Sequence, residues 1–387
     1  MSDTGKGRAP LHLINAALNI QGSEHANGRG RNAGFFTFSK NHTGSSETGY
    51  LATNTIEKLE AEGNGSESTA FGLSSAMAVS AAAASTAMGS MTMKPFALTL
   101  AVLNVRLGYW FNNPFAIARS AKHLGGGKLS MGAFSSRAGQ SSLVLLTKEV
   151  AGVMHEKQEL VYLTDGGHIE NLGLYTLLQR RAKFIVVVDG EADPNLNFGS
   201  FVTAQRYARI DLGTRIDLEV DKIRDSMLAT RQAAHGLSKG EEEITGLGAR
   251  DRTHCAVGTI YYPKDDSGKV QQGVILYIKS SLSGDENDYI TDYFRRNATF
   301  PHETTGDQFF SEEQFEAYRA LGFHSAFKAL TGQAYVQYEG GLVKLKGPGN
   351  SGSRFSDAHP LDKEENIKFK KVDALWQEIF NKVKYRY

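Results

Sequence analysis

Hydrophobic patterning is strongest over residues 158–189. Leu160-Val161-Tyr162-Leu163-Thr164 is a continuous apolar run, and residues 165–172 are polar and glycine-rich. Leu174, Leu177 and Leu178 then recur at helical spacing within 173–182, and Phe184-Ile185-Val186-Val187-Val188 is apolar again. Two uninterrupted apolar strands joined by a helix predict a βαβ unit in a parallel sheet covered on both faces. Asp165-Gly166 and Asp189-Gly190 would then close both strands on the same edge.

Elsewhere the pattern is weaker. Residues 20–50 are rich in Gly, Asn, Ser and Thr and read as loop with limited β structure, the aromatic run Phe35-Phe36-Thr37-Phe38 being one strand. An Ala-rich helix is expected over 74–89, and Pro95 opens a second apolar segment that ends near Tyr109-Trp110-Phe111-Asn112-Asn113-Pro114. Residues 199–209 read as helix, Arg215 to Val220 alternate with period two, and 221–252 is charged helix and loop. His254 to Tyr262 and Gln272 to Ser280 flank Lys264-Asp265-Asp266-Ser267-Gly268 as a hairpin. Residues 311–330 form an amphipathic helix, 339–366 a flexible stretch and 372–382 a terminal helix. The expected domains are thus 1–330 and a tail, 331–387.

Composition narrows the functional classes. Lys and Arg number 43 against 42 Asp and Glu, a net charge of +1 that gives no electrostatic case for nucleic acid. A single cysteine, Cys255, excludes an internal disulfide framework and fits a reducing, cytoplasmic setting. Ala70 to Met93 is uncharged, but its Ala, Ser, Gly and Met side chains predict a buried helix rather than a span.

The chemistry centres on Asp165-Gly166-Gly167. A strand-end aspartate ordinarily caps the following turn. Held rigidly at the rim of a sheet, it is also a base able to activate a serine. The run Tyr162-Leu163-Thr164-Asp165-Gly166-Gly167-His168-Ile169-Glu170-Asn171-Leu172-Gly173-Leu174-Tyr175, with Phe184 to Asp189 and Ala192-Asp193-Pro194, resembles bacterial patatin-like phospholipases. More loosely, it is similar to the Asp-x-Gly region of the cytosolic phospholipase A family. Leu13 to Asn19, Ala76 to Ser85, Leu103 to Gly108, Phe300 to Thr305 and Phe315 to Gly322 extend the likeness in order.

The resemblance implies a three-layer α/β fold with a mainly parallel central sheet, plus the hairpin and C-terminal helices. It implies hydrolysis of phospholipids or other lipid esters by a Ser–Asp dyad, Asp165 being the aspartate and Gly166 and Gly167 its supporting turn. No metal or organic cofactor is expected. The expected partners are a lipid ester and a membrane surface, to which the full-length protein would be peripheral or tethered.

One departure stands out. The family serine sits in Gly-x-Ser-x-Gly, and no such motif occurs in the chain. The nearest spelling is Gly72-Leu73-Ser74-Ser75-Ala76, which makes Ser74 the candidate nucleophile. The poor strand before it favours a helix-capping role instead. The chain therefore reads as the C-terminal part of such a protein or a version that has lost its first half. An N-terminal region or a second chain is then expected to carry the nucleophile, and the isolated chain to be inactive. The alternative is a non-catalytic domain for lipid binding or assembly.

The remaining candidates have plainer readings. His168 and Glu170 read as loop packing rather than a metal pair, and Asn171 as the cap of the next helix. His123-Leu124-Gly125-Gly126-Gly127 reads as loop rather than oxyanion hole, and Arg180-Arg181 as a solvated helix end. Asp189, Glu191 and Asp193 lack the phosphate loop a nucleotide site needs.

Overall fold

The computed structural model describes residues 10–23, 30–64, 71–83, 107–123, 142–237, 243–244, 252–269, 271–304, 306–307, 309–331, 336–339 and 342–345. The chain divides into two compact units, Met1–Thr176 and Leu177–Tyr387, a boundary inside the span expected as one domain.

The first unit holds strands β1 (Leu13–Asn19), β2 (Ala33–Ser39), β3 (His42–Ser45) and β4 (Gly49–Ala52), then helices α1 (Thr53–Asn64) and α2 (Leu73–Ser80). Strand β5 (Tyr109–Asn112), helices α3 (Pro114–His123) and α4 (Ser142–Ala151), strand β6 (Leu160–Asp165) and the start of α5 (Leu174–Gln179) complete it. The strands form one sheet in the order β4-β3-β2-β1-β6-β5, with every neighbouring pair antiparallel.

In the second unit, β7 (Phe184–Asp189), α6 (Gly199–Leu212), β8 (Arg215–Asp217), α7 (Asp221–His235), β9 (Cys255–Tyr261) and β10 (Gln272–Lys279) precede α8 (Asp288–Arg296) and α9 (Glu312–Thr331). Its sheet runs β7-β10-β9-β8, where β7 and β10 are parallel and the other pairs antiparallel. A two-stranded ribbon, β11 (Val336–Glu339) with β12 (Leu342–Leu345), follows.

The expectation of a mainly parallel, three-layer patatin-like sheet is therefore overturned. β6 and β7 belong to different sheets, so the predicted βαβ unit does not exist and Asp165 and Asp189 do not share an edge. Continuous apolar sequence reports coverage of both faces, not strand direction. β6 is central and doubly covered. Val161 and Leu163 join a core with Phe36, Phe111, Ile56 and Leu59 of α1, Val79 of α2 and Ile117 of α3, while Leu160 and Tyr162 pack with Trp110, Met154 and Leu145 of α4. β7, by contrast, is an edge strand whose burial alternates, leaving Val188 73% exposed.

Residues 20–50 carry more β structure than their polarity predicts. β2, β3 and β4 form a meander next to β1, where small Ala16 lies opposite Phe36 and leaves room for its ring. Polar Ser45 and Thr48 hydrogen-bond to each other at 3.0 Å in the β3–β4 turn, which removes the cost of burying them. The hairpin read around Lys264–Gly268 is β9–β10. α3 starts on Pro114, with Asn113 Oδ1 accepting from Phe115 N at 2.9 Å as its cap. The helix read over 74–89 is shorter than expected: α2 ends at Ser80 with Ala81 as its C-cap, residues 81–83 are not helical, and 84–89 lie outside the described residues, as do the segments 96–105, 124–127, 346–366 and 372–382. Among the described residues no helix is long and apolar enough to cross a membrane.

Candidate functional site

Register fixes the position of Asp165. As the last residue of β6 it lies opposite Ala16 of β1, and the chain turns there through one 3-10 turn, Gly166–His168. Asp165 Oδ1 accepts from Gly167 N at 2.7 Å. Oδ2 accepts no hydrogen bond among the described residues, and the side chain lines an open cavity of about 410 Å³. The two expected roles of this aspartate, turn capping and a rim carboxylate, coexist on its two oxygens.

Close approach of backbone requires the first glycine, while at the second only a movable side-chain end stands in the way. A Cβ on Gly166 would stand 2.8 Å from the main-chain oxygen of Asn15, and one on Gly167 would collide with Asn171 Oδ1. Gly166→Ala is accordingly expected to cost about 1–3 kcal/mol by prising the turn from β1. Thermal denaturation checks this, and an unchanged melting temperature would show that β1 yields freely.

Leu13, Ile14, Met77 and Leu172 give the cavity apolar wall, and its polar side chains are Asn15, Ser80, Asp165, Glu170 and Asn171, with exposed His12 at the rim. Asn15 is held from two sides: its Oδ1 accepts from Thr37 Oγ1 at 3.1 Å and from Thr176 Oγ1 at 3.0 Å. That orientation leaves Nδ2, which donates to no partner among the described residues, as the free end of the amide. Ser80, the last residue of α2, donates its hydroxyl to the Asn15 main-chain oxygen at 2.7 Å. Since the same oxygen abuts Gly166, Ser80 and the Asp165 turn meet across a single carbonyl.

Sequence reasoning singled out Asp165, Gly166 and Gly167, which stand together here, but not Ser80 or the role of Asn15. A polar Asn inside the apolar run Leu13 to Leu18 was the available signal. Ser74 is exposed on the first turn of α2, does not line the cavity, and does not cap the helix, whose N-cap is Gly72 without a side-chain bond.

At the start of α5, where Asn171 is the expected cap, Glu170 accepts main-chain N–H groups from Leu172 at 2.5 Å and Tyr175 at 3.3 Å. Burial pushes the Glu170 carboxyl above its ordinary range, and those N–H groups only partly oppose it.

His168 is buried beneath the turn. Nε2 faces Ala83 O at 3.0 Å, so it carries the proton, and Nδ1 accepts from Thr164 Oγ1 at 2.9 Å, which in turn accepts from Asn19 Nδ2 at 2.9 Å. Burial lowers the His168 pKa below 6.5, Asp165 and the Ala83 carbonyl opposing. The unfolded chain therefore binds the proton first as pH falls, so the contribution of His168 is full above about pH 6.5 and declines through its lower folded pKa. His302 and His254, lowered chiefly by burial to about 4 and about 3, act in the same direction. Urea midpoints measured from pH 7 to pH 5 are expected to fall, and His168→Gln to fall less steeply. Parallel curves for the two proteins would remove His168 from the linkage.

Among the described residues, Asp189, Glu191 and Asp193 do not gather as a group able to hold a metal ion. Asp189 is buried against Lys279 and Tyr277, and Asp193 accepts from Asn197 N and Phe198 N. Arg181 packs over Tyr262 at 5.4 Å and donates to Pro263 O.

No family model, curated protein or solved structure matches the chain.

Proposed function

We propose that the chain is a lipid acyl-ester hydrolase in which Asp165 is the general base. The observation that carries this reading is the division of labour on that carboxylate: one oxygen is fixed by Gly167 N–H, and the other is unengaged in a cavity that also holds a serine hydroxyl and an amide donor. Ser80 is the one hydroxyl side chain among the cavity-lining residues, and it takes the nucleophile's role that Ser74 cannot. Its Oγ attacks the ester carbonyl while its proton passes to Asp165. Asn15 Nδ2 donates to the oxyanion that forms. Collapse expels the alcohol, which takes the proton from Asp165, and leaves the acyl group on Ser80. Water, deprotonated by the same carboxylate, then releases the fatty acid. The apolar wall of Leu13, Ile14, Met77 and Leu172 suits an acyl chain.

The resemblance of residues 162–194 to patatin-like phospholipases supports a phospholipid or lysophospholipid substrate and work at a membrane surface from the cytoplasmic side. A non-catalytic lipid-binding domain is the second reading, favoured by the Ser80 proton being spent on the Asn15 carbonyl and by the lack of a Gly-x-Ser-x-Gly motif. A fluorophosphonate probe decides between them. Labelling mapped to Ser80 and lost in Ser80→Ala supports hydrolysis. Labelling at Ser74, or none with vesicle binding retained, overturns the assignment.

A further inference from the structure

The second unit contains a separate cluster of donor groups. His254, just before β9, Asp285 and Glu286, in the loop between β10 and α8, and His324, on α9, each offer one ligand atom, and these atoms all lie within 4.8 Å of one another. His254 Nε2 is 3.6 Å from Glu286 Oε1, and His324 Nε2 is 3.2 Å from Asp285 Oδ1. A tetrahedron with metal–ligand bonds of ~2.0–2.1 Å has edges of about 3.3–3.5 Å. Both pairs are close to that spacing before any ion draws them together.

Local hydrogen bonds orient the donors as ligands. His254 Nδ1 donates to Ser281 O at 2.7 Å, so Nε2 carries the lone pair; it accepts from Ser283 Oγ at 2.8 Å, a hydroxyl that also donates to Asp285 Oδ1 at 2.6 Å and that a bound ion would displace. Asp285 is polarised across its two oxygens: Lys328 Nζ donates to Oδ2 at 2.7 Å, so Oδ1 is the oxygen on the cluster side. Glu286 receives Ser283 N on Oε1 and Gly284 N on Oε2. Burial, then the charges of Lys328 and His324, lower the His254 pKa to about 3, so its ring is neutral. Although burial opposes it, hydrogen bonds from His324, Lys328 and Ser283 hold Asp285 well below the usual carboxylate range.

We propose that His254, Asp285, Glu286 and His324 form a structural site for a divalent transition metal of the Zn²⁺ class, with Lys328 as the outer partner of Asp285. Two imidazole nitrogens and two carboxylate oxygens suit this class. Four protein ligands fill a tetrahedral shell and leave no open position for chemistry, so the ion ties α9 to the sheet and does not react. Imidazole and carboxylate groups bind a metal only when deprotonated, so affinity drops as pH falls.

Titration of the full chain, stripped with chelator, with Co²⁺ and then Zn²⁺ tests this. One equivalent of Co²⁺ giving the intense visible bands of a tetrahedral site, displaced by Zn²⁺ with a rise in melting temperature, is expected. His324→Ala, on the exposed side of the cluster, is expected to lower affinity at least about 100-fold with unchanged circular dichroism. His254→Gln serves as the second variant. Binding below one equivalent, octahedral spectra, or affinity unchanged in both variants would overturn the proposal and leave Lys328 as the cation of a purely ionic cluster.

Discussion

Lys279→Met is expected to cost about 3–5 kcal/mol, the largest loss of stability from any single substitution considered for this chain. Lys279 is fully buried at the end of β10 and donates to Asp189 Oδ1 at 2.8 Å and to Glu191 O at 2.8 Å. Asp189 is 1% exposed and its other oxygen accepts from Tyr277 OH, a phenol that burial and this carboxylate together hold un-ionised far above its ordinary range. Parallel pairing of β7 with β10 sets Asp189 opposite Lys279, so both strands bring their charge to the same point. Removing the ammonium leaves an unpaired buried carboxylate, and that desolvation is the source of the effect. Urea denaturation of Lys279→Met and of the double variant Asp189→Asn with Lys279→Met checks it. The double variant is expected to recover much of the loss. A single variant within about 0.5 kcal/mol of wild type would mean that water reaches Asp189.

Asp165→Asn is expected to lower ester turnover by about 10²–10⁴-fold, the usual contribution of a general base. The amide oxygen still accepts from Gly167 N, so turn and fold should persist. That conservation makes the variant a test of chemistry and not of stability. Hydrolysis of a short-chain p-nitrophenyl ester, with thermal denaturation alongside, provides the readout. Near-native turnover with native stability would remove Asp165 from the mechanism and leave it as a cap.

How much of this the residues disclose depends on which property each segment encodes. β6, β7, β9, β10 and the helices near 199–212 and 312–331 are legible because their periodicity reflects local burial. Strand direction is not, because pairing is a property of two segments, and nothing in Leu160–Asp165 records that its neighbours are Leu13–Asn19 and Tyr109–Asn112. β3 and β4 escape notice because Ser45 and Thr48 satisfy each other instead of displaying an apolar stripe. At the site, Asp165 and its glycines stand out through their turn chemistry. Ser80 does not, since its place beside the turn depends on α2 docking against the Asn15 carbonyl. The four-ligand cluster is dispersed over residues 254 to 324 with no ligand spacing to mark it.

The pairing of Ala16 with Asp165 also has a consequence for biosynthesis. The meander β1 to β4 can form soon after it leaves the ribosome, but one margin of β1 must wait for a partner made more than a hundred residues later, roughly 10 s at ordinary elongation rates. During that interval the nascent protein presents an unsatisfied row of peptide groups flanked by Leu18 and Ile14, a target for chaperone capture. Asp165 reaches its place beside β1 only at the closing event that ends this exposure, so under the proposed function ester cleavage should switch on together with resistance to proteolysis.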